Sequence, residues 1–344
     1  MENTNILLTI GIPSYGRPDG LNNLLHSIDF ASDQLEVLII EDYSIDREQI
    51  SSVVFKFIQT TTLKVRYLEN TKNFGFDINL KRIIDNSLGK YVCLMGDDDC
   101  FVPSRLSEFF LFLQNLRVDI GYILRSYQVL HDYNKVENFI YFNDPLEFPP
   151  GPVSVKQLLR RSVVLTGFTI NRLYAKKFLD LSYTSSLLYQ VWLMAHVTMI
   201  YPAINYPFPF VFSKQSWRSG SAAFGTSSNE KSFYTPGNIT FENSINFIQS
   251  FSYLAKDLDN IYSAGFELSL TSELSKYSYP LLSIQASRGK RNFLRYTNKL
   301  EASLPFLKST YYYHVYKVFL LFFGLRFCDA LVRLIKRSIG TPNL

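Results

Sequence analysis

At 344 residues, 47% hydrophobic and 16% aromatic, the chain can hold one large domain or a domain with an appended module, and it is too apolar for wholesale disorder. A net charge of +5, with no dense Lys/Arg block among aromatics before the C-terminus, argues against a nucleic-acid binder. Cys93, Cys100 and Cys328 show neither a disulfide framework nor zinc spacing, which suits a reducing cytosol.

The first apolar run, 6–12, is short, lacks a basic flank and ends at Pro13, so it reads as a strand and not as a signal peptide. The loop Ser14-Tyr15-Gly16-Arg17-Pro18 follows, then a helix over 20–30 with Leu21, Leu24, Leu25 and Ile28 at helical spacing. A strand over 35–40 ends in Glu41-Asp42-Tyr43-Ser44-Ile45-Asp46. A helix over 46–59, a strand over 64–68, a polar loop over 69–73, a helix over 76–88 and a strand over 91–95 complete this half. Strands alternating with helices of about a dozen residues imply βαβ units and a parallel sheet with helices on both faces. In such sheets ligands bind beyond the carboxyl ends of the strands.

Unusual polar residues gather at that edge: residues 14–17, 42–46, the loop 70–75 and the triplet Asp97-Asp98-Asp99. Three adjacent carboxylates repel one another, and no ordinary turn requires them. A divalent cation on a phosphate-bearing ligand would neutralise them, since Mg²⁺ takes one or two carboxylates plus phosphate oxygens. No G-x-G-x-x-G follows the first strand and no G-K-[ST] is present, so neither a dinucleotide domain nor a P-loop fits. A nucleotide would instead be held through its base and ribose by Asp42 and the Ser14/Tyr15 loop, with its phosphates reached through the metal.

The middle of the chain is less regular. A helix over 104–116 and an apolar segment over 120–124 continue the pattern, and 131–152 reads as a surface insertion punctuated by Gly and Pro. Helices over 154–161, 175–181 and 186–197 and strand-like 203–212 come next. The polar loop 213–221 carries Lys214 and Arg218, which either close over a diphosphate or belong to a plain solvated loop. From 238 onward the pattern is helical. The last segment, 311–339, mixes aromatics and aliphatics with Lys317, Arg326, Arg333, Lys336 and Arg337, and its run 318–323 is too short to span a bilayer. It reads as a helix lying in a headgroup layer, or as one packed on the body with its basic side solvated.

In family order and spacing, the chain resembles a family 2 glycosyltransferase of the GT-A fold. The stretches that carry the resemblance are Ile10-Gly11-Ile12-Pro13-Ser14-Tyr15-Gly16-Arg17, Glu41-Asp42-Tyr43-Ser44-Ile45-Asp46, Asn73-Phe74-Gly75, Gly89-Lys90-Tyr91, and Gly96-Asp97-Asp98-Asp99 with Pro103. Gly-Asp-Asp-Asp, together with Asn79 after Asn-x-Gly, is similar to the abequosyltransferase-like branch of O-antigen assembly. The resemblance implies an α/β, Rossmann-like, mostly parallel central sheet flanked by helices, with a helical C-terminal extension. It also implies metal-dependent transfer of a sugar from a nucleoside diphosphate sugar to a hydroxyl of a lipid-linked or surface glycan.

Carried over by position, Pro13, Ser14, Tyr15, Arg17, Asp42, Asn73, Gly75, Asn79, Asp97 and Asp98 would bind the nucleotide sugar, and Asp99 with Asp98 would hold Mg²⁺ or Mn²⁺. Two departures stand out. Gly96 occupies the first Asp of the family's Asp-x-Asp segment. Where inverting members place a catalytic carboxylate, residues 187–193 offer none, and Gln190 cannot take a proton as a base does. Asp180, Asp144 and His196 are the substitutes nearby in sequence. The expected division is a GT-A domain over 1–225, with a nucleotide half 1–110 and an acceptor half 111–225, followed by a helical region 226–344. The expected partners are a sugar-nucleotide donor, a glycan acceptor and the inner face of the cell membrane. The rivals are a non-catalytic sugar-nucleotide-binding scaffold, and a nucleotidyltransferase, for which the loop after the first strand is too poor in Gly and basic residues.

Overall fold

The structure is a computed structural model describing residues 5–131, 135–179, 183, 186–214, 224–236 and 239–339. It divides into two units, 1–238 and 239–344. The boundary lies beyond the expected 225, because Thr226 and Glu230 bind back to residues 73–76 of the first unit.

The first half of unit one follows the alternation closely: β1 (Leu8–Ser14), α1 (Pro18–His26), β2 (Leu35–Glu41), α2 (Arg47–Thr60), β3 (Lys64–Glu69), α3 (Phe76–Asn86) and β4 (Tyr91–Leu94). Strand β2, Leu-Glu-Val-Leu-Ile-Ile-Glu, is buried throughout, as a strand covered on both faces must be. Its one interior charge, Glu36, is satisfied by Thr9, Arg66 and the Leu88 N–H. Helix α1 starts on Pro18, whose missing N–H costs nothing in a first turn, and buries Leu21, Leu24 and Leu25. Each such side chain contributes roughly 1.5–3 kcal/mol by leaving water.

The second half contains β5 (Cys100–Phe101), α4 (Arg105–Gln114), β6 (Tyr122–Arg125), β7 (Tyr127–His131), β8 (Lys135–Phe139), β9 (Glu147–Phe148), α5 (Pro152–Leu158), β10 (Phe168–Asn171), α6 (Arg172–Lys176), α7 (Tyr189–Ile200), β11 (Ala203–Tyr206) and β12 (Val211–Lys214). The main sheet runs β3-β2-β1-β4-β10-β6-β11-β9, and a smaller one runs β5-β12-β7-β8. The pairs β1·β2, β2·β3, β1·β4 and β6·β11 are parallel, whereas β10 runs against both its neighbours. The stretch expected as a plain insertion instead returns as β8 on β7, with Phe139 stacked on Tyr127 at 5.0 Å. Helix α7 is apolar nearly all round and correspondingly buried.

Unit two is helical, as the sequence implies: α8 (Phe241–Tyr262), α9 (Phe266–Lys276), α10 (Tyr279–Ala286), α11 (Lys290–Ser303) and α12 (Tyr311–Ile339). The Thr240 hydroxyl accepts the Asn243 N–H and caps α8. Gly324, at φ 74° and ψ 167°, breaks α12 in two. No helix among the described residues is long and apolar enough to cross a membrane.

Candidate active site

The parallel strands β1, β2 and β4 end side by side, and the polar residues singled out in the sequence meet there. Just past β4, the Asp97 carboxylate accepts the Tyr15 N–H at 2.9 Å and the Arg17 guanidinium at 2.9 Å. Arg17 also reaches Asp98 at 3.2 Å. Burial works against the Arg17 charge, but Asp97 and Asp98 hold its pKa above the ordinary value. The loop after β1 is thus pinned to the triplet by charge-assisted bonds. Pro13 and Ser14 close β1 beside it, and the buried Ser14 hydroxyl has no hydrogen-bond partner among the described residues.

Asp99 is held from two sides. One oxygen accepts the Lys214 N–H at 2.7 Å and the other accepts the Thr166 hydroxyl. Asp98 differs: its Oδ2 is buried without a partner among the described residues. Burial raises Asp97 to about 6, with Asp98 adding to the effect against Arg17. Burial and the adjoining Asp98 charge push Asp99 up further. A Cβ on Gly96 would lie 2.8 Å from Asp99 Oδ2 and 3.3 Å from Asp98 Oδ1. The two carboxylates therefore lean over Gly96, which explains why no side chain stands at that position.

The other end of the site forms around Asp42. Its carboxylate accepts from Asn70 at 2.6 Å, the Phe74 N–H at 2.9 Å and the Gly75 N–H at 2.8 Å. Burial nevertheless raises it to about 6. Asn73 accepts the Gly75 N–H and donates to Thr226, while Asn79 donates to the Ile40 carbonyl and accepts from Asn70. Glu41 fixes the following turn by accepting the Tyr43 and Ser44 N–H groups.

Of the remaining candidates, Lys214 comes to the triplet through its backbone. Asp144 is exposed before β9, at the far edge of the sheet, and is not brought to the triplet. His196 is buried in α7 against Phe178 and Trp192, a core position. Asp180 and Arg218 lie outside the described residues. Gln190 donates to the Val163 carbonyl.

Three buried residues escape the sequence reading. Asp77 accepts the N–H groups of Ser186, Leu187 and Tyr189 at the start of α7. Glu230 accepts the Phe76 N–H at 2.7 Å and the Thr226 N–H at 3.2 Å. Thr166 meets Asp99. Asp77 carried one visible signal, an acid in the first turn of a helix; the long-range partners of the other two leave no trace in local pattern.

The model of the family described as Glycosyl transferase family 2 matches residues 9–181. A Haemophilus influenzae protein described as an uncharacterized glycosyltransferase is 26% identical over 155 residues, 44% of this chain and 48% of that protein. The alignment with this curated relative thus spans about half of its length. Among solved structures, S. aureus TarS 1–349 in complex with UDP-GlcNAc superposes with a TM-score of 0.55 at 12% identity, over 93% of this chain and 91% of that one. Another structure of S. aureus TarS gives 0.52 at 14% identity, over 92% and 54%. At such identities the structural likeness speaks for the fold.

Proposed function

The chain belongs to glycosyl transferase family 2, and from that premise we propose that it moves a sugar from a nucleoside diphosphate sugar to a hydroxyl of a lipid-linked or surface polysaccharide, of the O-antigen or capsule kind. The observation that carries this reading is the acidic triplet beyond β4, where one buried carboxylate oxygen of Asp98 has no hydrogen-bond partner among the described residues. TarS, of like fold, was solved with UDP-GlcNAc and with UDP, which supports a nucleotide-sugar donor.

The residues present fit a divalent cation, Mg²⁺ or Mn²⁺. Asp98 and Asp99 share the space over Gly96, and the Asp98 charge raises the cost of charging Asp99. No group of three metal-type side chains converges among the described residues, so the protein would supply two carboxylates and the donor's phosphates the remaining ligands. When bound, such a cation would offset charge developing on the leaving diphosphate. The chain's own part is to hold Asp97 with Arg17, to fix Asp99 through Lys214 and Thr166, and to orient base and ribose at Asp42 and Tyr15. The absence of a carboxylate at Gln190 favours one second reading, a scaffold that binds the sugar nucleotide without turning it over.

Nucleotide release from a panel of UDP-, GDP-, CDP- and dTDP-sugars with Mn²⁺ tests the proposal. Release from at least one donor, rising with acceptor glycan, is expected. Binding without release from any donor would establish the scaffold.

The C-terminal helix supports a peripheral place on the inner membrane face. Phe319, Phe322, Phe323 and Phe327 are exposed on α12 together with Arg326 and Arg333. Replacing Phe322 and Phe323 by Ser is expected to lower sedimentation with anionic vesicles at least about tenfold, since each ring contributes roughly 1.5–3 kcal/mol on leaving water. Equal sedimentation of parent and variant would remove the membrane role.

A further inference from the structure

Arg125, at the end of β6, is wholly buried, yet it pairs with no carboxylate among the described residues. A lone buried guanidinium is costly unless its donors are satisfied. Here they are spent on one short segment: Nε donates to the Thr166 carbonyl at 3.0 Å, one terminal nitrogen to the Arg161 carbonyl at 3.2 Å and the other to the Val164 carbonyl at 2.6 Å. The Tyr127 ring lies beneath it, 5.0 Å from its centre.

That segment ends at the triplet. The Thr166 hydroxyl binds Asp99 and receives the Gly96 N–H at 3.4 Å, and the next residue, Gly167, donates to the Leu94 carbonyl at the end of β4. Gly167 has φ 77°, and a Cβ there would stand 2.9 Å from Val211 and 3.1 Å from the Arg125 side chain. A side chain at 167 would therefore be strained in its backbone and would crowd the clamp itself.

We propose that Arg125 is a positioning residue for the Asp99 carboxylate, acting through the 161–166 segment and the Thr166 hydroxyl. Arginine suits the task because its planar fork serves three carbonyls in fixed directions, which a lysine ammonium on a flexible stem does not. The inference rests on the metal reading given above only in its consequence, that Asp99 is aimed at a cation.

Two variants test it, Thr166→Val and Arg125→Lys, each first shown to be folded by its unfolding transition. Mn²⁺ affinity in the presence of UDP, followed by the loss of the free-ion electron paramagnetic resonance signal, is expected to fall about tenfold in both. A thermal-unfolding cycle combining Arg125→Lys with Asp99→Asn is expected to be non-additive, as coupled neighbours are. Additive unfolding, or variants that bind Mn²⁺ as the parent does, would overturn the proposal. If the parent itself binds no Mn²⁺ with UDP, the metal reading falls alone and the unfolding cycle decides the role of Arg125.

Discussion

Asp98→Asn is expected to lower sugar transfer about 10²–10³-fold, the range seen when a group that stabilises transition-state charge is removed. EDTA should reproduce that loss in the parent and add little in the variant. The fold should tolerate the change well. The Asp98 Oδ2 holds no protein donor among the described residues, and its charge adds to the strain on Asp97 and Asp99. Asp99→Ala should abolish transfer as well, but through two routes, because it also frees the Lys214 N–H and the Thr166 hydroxyl. Full activity of Asp98→Asn, or full activity of the parent in EDTA, would sink the metal role of the triplet.

The second large effect concerns stability. Asp77→Ala strips the acceptor from three N–H groups at the buried start of α7. Each unpaired donor costs about 1–3 kcal/mol, so a net loss of roughly 3 kcal/mol is expected after relaxation. For a unit of this size that lowers Tm by about 6–12 °C. The effect should depend on pH. Burial pushes the Asp77 carboxyl up to about 6 despite its N–H donors, so the folded chain binds this proton more tightly than the unfolded chain. The resulting stabilisation is full below about pH 4 and is lost as pH rises through about 6. Asp42 and Asp97, raised to about 6 by burial, slope the same way. Asp77→Asn should therefore flatten the decline between pH 4 and 7 without abolishing it. A Tm for Asp77→Ala equal to the parent's would show that the carboxylate does not hold α7, and identical pH slopes in parent and Asp77→Asn would show that burial does not raise its pKa.

Much of residues 1–110 was legible because β1, β2 and β4 are largely apolar and α1 and α3 repeat Leu and Ile at helical spacing. The acids at the strand ends followed from the rule for parallel sheets. What the sequence hides is direction and distance. Nothing in Phe-Thr-Ile-Asn says that β10 runs backwards between β4 and β6, and two-residue strands such as β5 and β9 are too short to carry a period. The same blindness covers Glu230 and Arg125. The Phe76 N–H that Glu230 accepts and the carbonyls that Arg125 serves lie dozens of residues away or more, and a carbonyl or N–H has no sequence signature. His196 shows the converse: a chemically suggestive residue on an apolar helix proves to be packing.

The reversed strand β10 also governs how the chain can be assembled. Strand β4 has β1 on one side and β10 on the other, so its second edge is closed only by residues that follow some 75 positions later. A nascent chain ending near residue 110 would expose Tyr91–Leu94 as a bare, wholly apolar edge, the kind that templates pairing between molecules. Residues 1–110 by themselves would thus leave one edge of the sheet unpaired. That edge is covered when β10, made some 75 residues later, pairs with it.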